Sequence, residues 1–117
     1  MSFSTYVREI DGVTVIDFVG RIVLGPGVRE VRSVITEALT AGQRKIVVNM
    51  ALVEYIDSSG LGELVSAYTS VRNLGGDIKL TSLQKKTWDL MQITKLYTVF
   101  SIFPDERAAL QSFAQAT

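Results

Sequence analysis

The stretch KIVVNMALVEYIDSSGLGELVSAYTSV, residues 45–71, decides the fold. It begins with a short, nearly continuous apolar run at residues 45–50, which is typical of a strand in the middle of a sheet. A loop is predicted through residues 54–57, leading into two serines and a glycine. Apolar residues then recur at helical spacing, which predicts an amphipathic helix: Leu61, Leu64, Val65, Tyr68 and Val71. The stretch therefore predicts a strand followed by a helix.

The same two patterns alternate along the rest of the chain. Residues 3–10 and 13–19 carry β-branched and aromatic side chains and flank Asp11-Gly12, which predicts a hairpin. The order β-β-α-β-α-β-α-β-α predicts a single α/β domain over residues 1–117, a sandwich with a mixed, mostly parallel sheet of four to five strands and about four helices. The remaining predicted elements are a loop at 20–27, a helix at 28–41, a strand at 77–83, a helix at 84–95 around a core of Trp88, Leu90, Met91 and Ile93, a strand at 99–103 and a helix from Pro104.

The composition narrows the class of protein. Of the 117 residues, 47% are hydrophobic and 21% are charged, as in globular domains. Twelve basic residues balance twelve acidic ones, and nucleic-acid-binding domains usually carry a basic excess, so we expect no nucleic-acid partner. No run of about 18 apolar residues occurs, which predicts no membrane span. Residues 1–6 lack the features of a signal peptide, so the expected location is the cytoplasm.

Two residue types are missing from the chain. It has no cysteine, which excludes disulfides and thiolate nucleophiles, and no histidine, the commonest general base and zinc ligand. We therefore expect a non-catalytic protein with no cofactor and no metal. Glu54, Asp57 and Glu63 could form a magnesium site, but carboxylates near a loop are more often solvated or capping, and that interpretation is favoured.

The segment DSSGLG, residues 57–62, lies where the central strand gives way to a helix. Open α/β sheets carry functional groups at such positions. Ser58 or Ser59 could be only an N-cap, a role that serine favours. One cap needs one hydroxyl, however, and Asp57 could serve as well. Gly60 and Gly62 each lower helix propensity by roughly 1 kcal/mol relative to alanine, which indicates that packing or a partner requires close approach to the backbone.

The segment YIDSSGLG, residues 55–62, resembles the signature of the STAS domain family, in its bacterial anti-sigma factor antagonist branch. The segment GGDIKL at 75–80 is similar to the glycine pair that this family places before its next strand. Residues 90–100 resemble the family's succession of a helix, a loop and a short strand. The resemblance covers residues 3–113 and implies a STAS-like sandwich, in agreement with the element order predicted above.

The resemblance also implies a function. In such proteins a serine kinase, which is also the anti-sigma factor, phosphorylates the serine directly after the aspartate. That residue is Ser58 here, and Ser59 is the weaker candidate. The unphosphorylated protein binds the anti-sigma factor and frees the sigma factor, and a serine phosphatase resets the cycle. We expect a monomer or weak homodimer whose partner-docking residues are Asp57, Ser58, Ser59, Gly60, Leu61, Gly62, Val23, Leu24 and Gly25.

One segment departs from the family's pattern. Phosphorylated members commonly carry an acidic residue in the loop after the second strand, beside the segment that corresponds to residues 57–62 here, which we call the serine loop. This chain has the apolar, glycine-rich IVLGPG at residues 22–27, which predicts a drier docking surface and leaves the kind of partner open. Two alternatives also remain open: a scaffold or sensor STAS domain that is not phosphorylated, and a STAS domain that binds a small molecule such as a nucleotide or lipid.

Overall fold

A computed structural model describes residues 2–115 of the chain. The element order is the predicted β-β-α-β-α-β-α-β-α, with four α-helices and five strands in the described part. The elements are β1 (Phe3–Ile10), β2 (Val13–Ile22), α1 (Pro26–Thr40), β3 (Lys45–Ile56), α2 (Ser58–Asn73), β4 (Asp77–Thr81), α3 (Lys85–Thr94), a short 3₁₀ helix (Leu96–Thr98), β5 (Ser101–Phe103) and α4 (Glu106–Ala114).

The five strands form one mixed sheet in the order β1-β2-β3-β4-β5. The hairpin pairs β1 and β2 antiparallel, and each later strand joins its neighbour in parallel through a helical crossover. Because β2 and β3 are parallel neighbours, their carboxyl ends lie at the same edge of the sheet. This topology brings the loop that follows β2 next to the serine loop that follows β3.

Helices cover both faces of the sheet. The larger core lies against α1, α2 and α3, and a smaller cluster around Val15, Val47 and Phe113 lies under α4. An ion pair network also fixes α4, because Arg8 bonds Asp17 at 2.8 Å and Glu106 at 2.6 Å. The apolar strand β2 thus contains Asp17 because β1 supplies an arginine for it.

Two strands are longer than predicted. Residues 20–22 and 54–56, predicted as loops, continue β2 and β3. They stay in the sheet because β2 and β3 keep pairing with each other past the end of β4, up to Ile22 opposite Ile56. A register shift at Gly20, whose φ is 114°, accommodates this extension. Asp57 is consequently the single residue between β3 and α2.

The predicted core of α3 is wrong in two places. Met91 is fully buried, but Trp88 is 41% exposed and Ile93 is 79% exposed. This helix of ten residues packs through a narrow face formed by Thr87 and Met91, one turn apart. Trp88 and Ile93 lie outside that face, so their hydrophobic character did not indicate burial.

Candidate functional site

Asp57 joins the two loops at the carboxyl end of the sheet. Its Oδ1 accepts a hydrogen bond from the backbone N–H of Gly60 at 2.7 Å and caps α2. Its Oδ2 accepts from the backbone N–H of Leu24 at 3.0 Å, and its own N–H donates to the carbonyl of Ile22 at 3.2 Å. The bonds from Leu24 and then Gly60 hold the pKa of the carboxyl below its usual range. The cap is therefore the aspartate and not a serine.

The hydroxyls of Ser58 and Ser59 form no hydrogen bond within the described part of the fold. Ser58 is exposed at the first position of α2, and Ser59 beside it is half-buried. Within residues 2–115, neither hydroxyl forms a hydrogen bond, because Asp57 already occupies the capping position. Ser58 thus presents an unbonded hydroxyl to solvent.

The packing of the fold explains only one of the two glycines in the serine loop. A Cβ at Gly60 would collide with the carbonyl oxygen of Ile22, so the fold requires glycine there. A Cβ at Gly62 would meet nothing within 4 Å, and Gly62 has no left-handed backbone conformation. Gly62 is exposed one helical turn after Ser58. Internal packing therefore explains Gly60 but does not explain Gly62.

The apolar loop after β2 lies beside the serines. The hydrogen bond between Leu24 and Asp57 fixes its backbone, while the Leu24 side chain is 74% exposed. Val23 and Gly25 are half-buried, and Gly25 adopts φ 106° at the N-cap of α1. Leu61, in contrast, is 8% exposed and belongs to the main core. Among the expected docking side chains, Leu24 and Ser58 are therefore available, whereas Leu61 packs inward.

An ion pair that the sequence did not indicate connects two helices near the serine loop. Glu63 is 6% exposed, and its Oε1 lies 2.7 Å from Nη2 of Arg32 on α1. The pair connects α1 to the second turn of α2. Glu63 is therefore committed to Arg32 and is not grouped with Glu54 and Asp57. No cluster of three acidic residues that could hold a metal occurs in the described part of the chain.

The family follows from the whole chain as well as from the loop. The STAS domain model matches residues 5–109, which include the serine loop, the apolar loop and the pairing of β2 with β3 that brings them together. The chain belongs to the STAS family. In this STAS domain, no helix among residues 2–115 is long and apolar enough to cross a membrane.

This STAS domain is similar in sequence to a protein named as an anti-sigma factor antagonist, and it shares its fold with two solved structures. The anti-sigma-B factor antagonist of Bacillus subtilis is 34% identical over 59 residues, 50% of this chain and 54% of that protein. The crystal structure of an anti-sigma factor antagonist from Mycobacterium paratuberculosis has a TM-score of 0.85 at 22% identity and covers 95% of this chain and 93% of its own. The Bacillus cell fate determinant SpoIIAA, solved in its phosphorylated form, has a TM-score of 0.71 at 19% identity, with 93% and 99% covered.

Proposed function

We propose that this STAS domain is an anti-sigma factor antagonist, a non-catalytic regulator that binds an anti-sigma factor while Ser58 is unmodified and is released when Ser58 is phosphorylated. The observation that carries the proposal is the exposed, unbonded hydroxyl of Ser58 beside an aspartate that already caps the helix. The relative from Bacillus subtilis, named as an antagonist of this kind, supports the role. The solved phosphorylated form of SpoIIAA supports the modification.

The switch acts at the docking surface and leaves the fold intact. A phosphate adds about −1.5 to −2 charges at pH 7. On the exposed Ser58 these charges remain solvated, next to the carboxylate of Asp57, which already interacts with the helix N-terminus. The two adjacent negative groups repel an acidic partner surface and are costly to desolvate against an apolar one. Phosphorylation therefore removes the partner without unfolding α2.

The partner is an anti-sigma factor that is also the serine kinase, and a serine phosphatase restores the free hydroxyl. Leu24 offers this partner an exposed apolar side chain, and its backbone N–H bonds Asp57 at the start of the serine loop. We place this exchange in the cytoplasm, with the antagonist acting as a monomer or weak homodimer. Ser59 is the weaker phosphate acceptor, because its side chain is half-buried.

Charge-mimicking variants test the proposal. The Ser58→Ala variant, which cannot be modified at that position, is used to isolate the anti-sigma factor from the native cell. Calorimetry then measures the affinity of each variant for the purified partner. Ser58→Asp should weaken binding about 30-fold or more, the size expected when like charges meet at an interface. Ser66→Asp is the matched control, because Ser66 is also exposed on α2, about 12 Å further along the helix. It should bind like the unmodified protein.

The melting temperature separates function from structure. Ser58→Asp should melt within a few degrees of the wild type, because the Ser58 hydroxyl bonds nothing in the described part of the fold. If Ser58→Asp binds the partner normally, the proposed switch is wrong. Phosphate mapped by mass spectrometry in the wild type should be absent from Ser58→Ala. Equal incorporation into that variant would move the site to Ser59.

A further inference from the structure

A cleft of about 360 Å³ lies at the opposite end of the sheet from the serine loop. It lies where β3 and β4 begin and α2 ends, beneath the last turns of α4. Eleven residues of β3 separate it from the serines, on the order of 30 Å by strand rise. We call it the basic cleft, after the four cations among the residues that line it, which include Arg44, Lys45, Arg72, Asp77, Lys79 and Phe113.

Positive charge is concentrated in the basic cleft. Four basic side chains and one acidic side chain line it, an excess of three positive charges. The whole chain is neutral, with twelve basic and twelve acidic residues, so this excess is local and is balanced elsewhere on the molecule. Low-dielectric walls around a charged cleft strengthen its attraction for ions of the opposite sign.

Helix ends account for the two arginines. Arg44 donates from Nη1 to the carbonyls of Leu39 and Gln43, at 3.1 and 2.7 Å, at the end of α1. Arg72 lies in the last turn of α2, with Nη1 3.8 Å from Oδ2 of Asp77. Cations are favoured at helix C-termini, so both positions have a structural explanation. That explanation does not extend to Lys79, which lies in the middle of β4.

Lys79 is a buried cation with no charged partner. It is 7% exposed, its Nζ donates to Ser112 Oγ at 2.6 Å, and the ring centroid of Phe113 lies 4.0 Å away. Among residues 2–115, no carboxylate oxygen lies within 4.0 Å of this Nζ. An ammonium group has three N–H donors, and burying its charge without a counter-ion is unfavourable. An anion in the cleft would provide both acceptors and charge.

We propose that the basic cleft binds a small molecule through a phosphate group. Three excess positive charges match a phosphate or diphosphate better than a single carboxylate. Arg72 offers the planar guanidinium that can bond two phosphate oxygens together, and Lys79 adds a further positive charge to the lining of the cleft. The inference concerns a different surface from the serine loop and stands or falls independently of the proposed function.

Inorganic pyrophosphate is the probe, titrated into the full chain by calorimetry at constant ionic strength. The wild type should show saturable binding at one site. Lys79→Met keeps the length and burial of the side chain but removes its charge, and it should weaken binding at least 10-fold. Arg72→Gln should do the same, and because Arg72 is 53% exposed this variant should fold normally. Lys86→Gln, on the exposed side of α3, is the charge-matched control and should bind unchanged.

Three results would overturn the inference. The first is the absence of saturable heat in the wild type. The second is undiminished binding by Lys79→Met with a normal melting temperature, which would move the anion to another surface. The third is an equal loss in Lys86→Gln, which would indicate attraction to net charge alone. Amide resonances of Gly75 and Gly76, which line the cleft, should shift with pyrophosphate while those of Ser58 and Ser59 stay in place.

Discussion

Each end of the sheet holds an aspartate through bonds within the fold, but the polar group that stays unmatched differs between the two ends. At the serine end, backbone N–H groups occupy both carboxylate oxygens of Asp57, and an uncharged hydroxyl remains unused. At the cleft end, Asp77 bonds its neighbour Ile78 and faces Arg72, and the charge of Lys79 remains unmatched. At both ends, the polar groups that are bonded within the fold differ from those that are not matched there. The unmatched groups differ in kind. The Ser58 hydroxyl can gain a negative charge covalently, and Lys79 can attract a bound anion.

The largest expected effect concerns the glycine that each end needs for packing. A Cβ at Gly60 would strike the carbonyl of Ile22, and a Cβ at Gly76 would strike the carbonyl of Arg44. Backbone cannot yield as a flexible side chain can, so Gly60→Ala and Gly76→Ala should each reduce the free energy of unfolding by about 3 kcal/mol. Urea denaturation measures this. A loss below about 1 kcal/mol for either variant would show that the backbone at that end can move enough to accept a methyl group.

The ion pair between the edge strand β1 and its neighbour β2 provides the reference for a fully paired charge. Arg8 donates to both oxygens of Asp17 and holds the pKa of that carboxyl below its usual range. A depressed folded pKa contributes stability above the ordinary aspartate pKa of about 3.9 and loses it as the pH falls through the lower folded value. Asp17→Asn should therefore cost about 2 kcal/mol at pH 7 and progressively less as the pH is lowered below about 4. Urea unfolding across this range checks it, and parallel curves would contradict it.

The tie between the two loops should have a smaller effect, because Asp57 lies at the surface. Asp57→Ala removes the cap of α2 and the acceptor of the Leu24 N–H together. We expect a lower melting temperature and faster hydrogen exchange at the amides of Leu24 and Gly60. Asp57→Asn separates the two bonds: its single oxygen can still cap Gly60, but its amide nitrogen cannot accept from Leu24, so protection should persist at Gly60 and be lost at Leu24. Unchanged exchange at Leu24 in Asp57→Ala would show that the loop is held in another way.

Much of the fold was predictable because hydrophobic periodicity is local. Alternating strand and helix patterns predicted the element order, and strand-end position selected residues 57–62 as the candidate site. The patterns failed where distant pairing decides. The ends of β2 and β3 remain extended because they bond each other, and Trp88 is exposed because α3 packs through a narrow face. No local pattern contains either fact.

The details of the candidate site were less predictable than its place. Asp57, which caps α2 in place of either serine, also accepts a hydrogen bond from Leu24, 33 residues away. The pairing of Arg32 with Glu63 joins two helices across 31 residues. The basic cleft combines residues of β3, β4, α2 and α4, which the sequence separates by up to 69 positions, from 44 to 113. Such contacts follow from the topology, and no motif in the chain predicted them.

The smallest expected change, at Gly62, separates folding from function most sharply. Because a Cβ there meets nothing within 4 Å, Gly62→Ala should raise the free energy of unfolding by about 0.5–1 kcal/mol, the helix propensity that glycine forgoes. The same methyl group stands one turn from Ser58, so it should weaken binding of the anti-sigma factor and slow phosphorylation. Ser66→Ala, one turn further on the same exposed side of α2, should leave both unchanged. Normal binding by a stabilised Gly62→Ala would show that the partner does not approach this turn, and the proposed switch at Ser58 would then depend on the contact at Leu24.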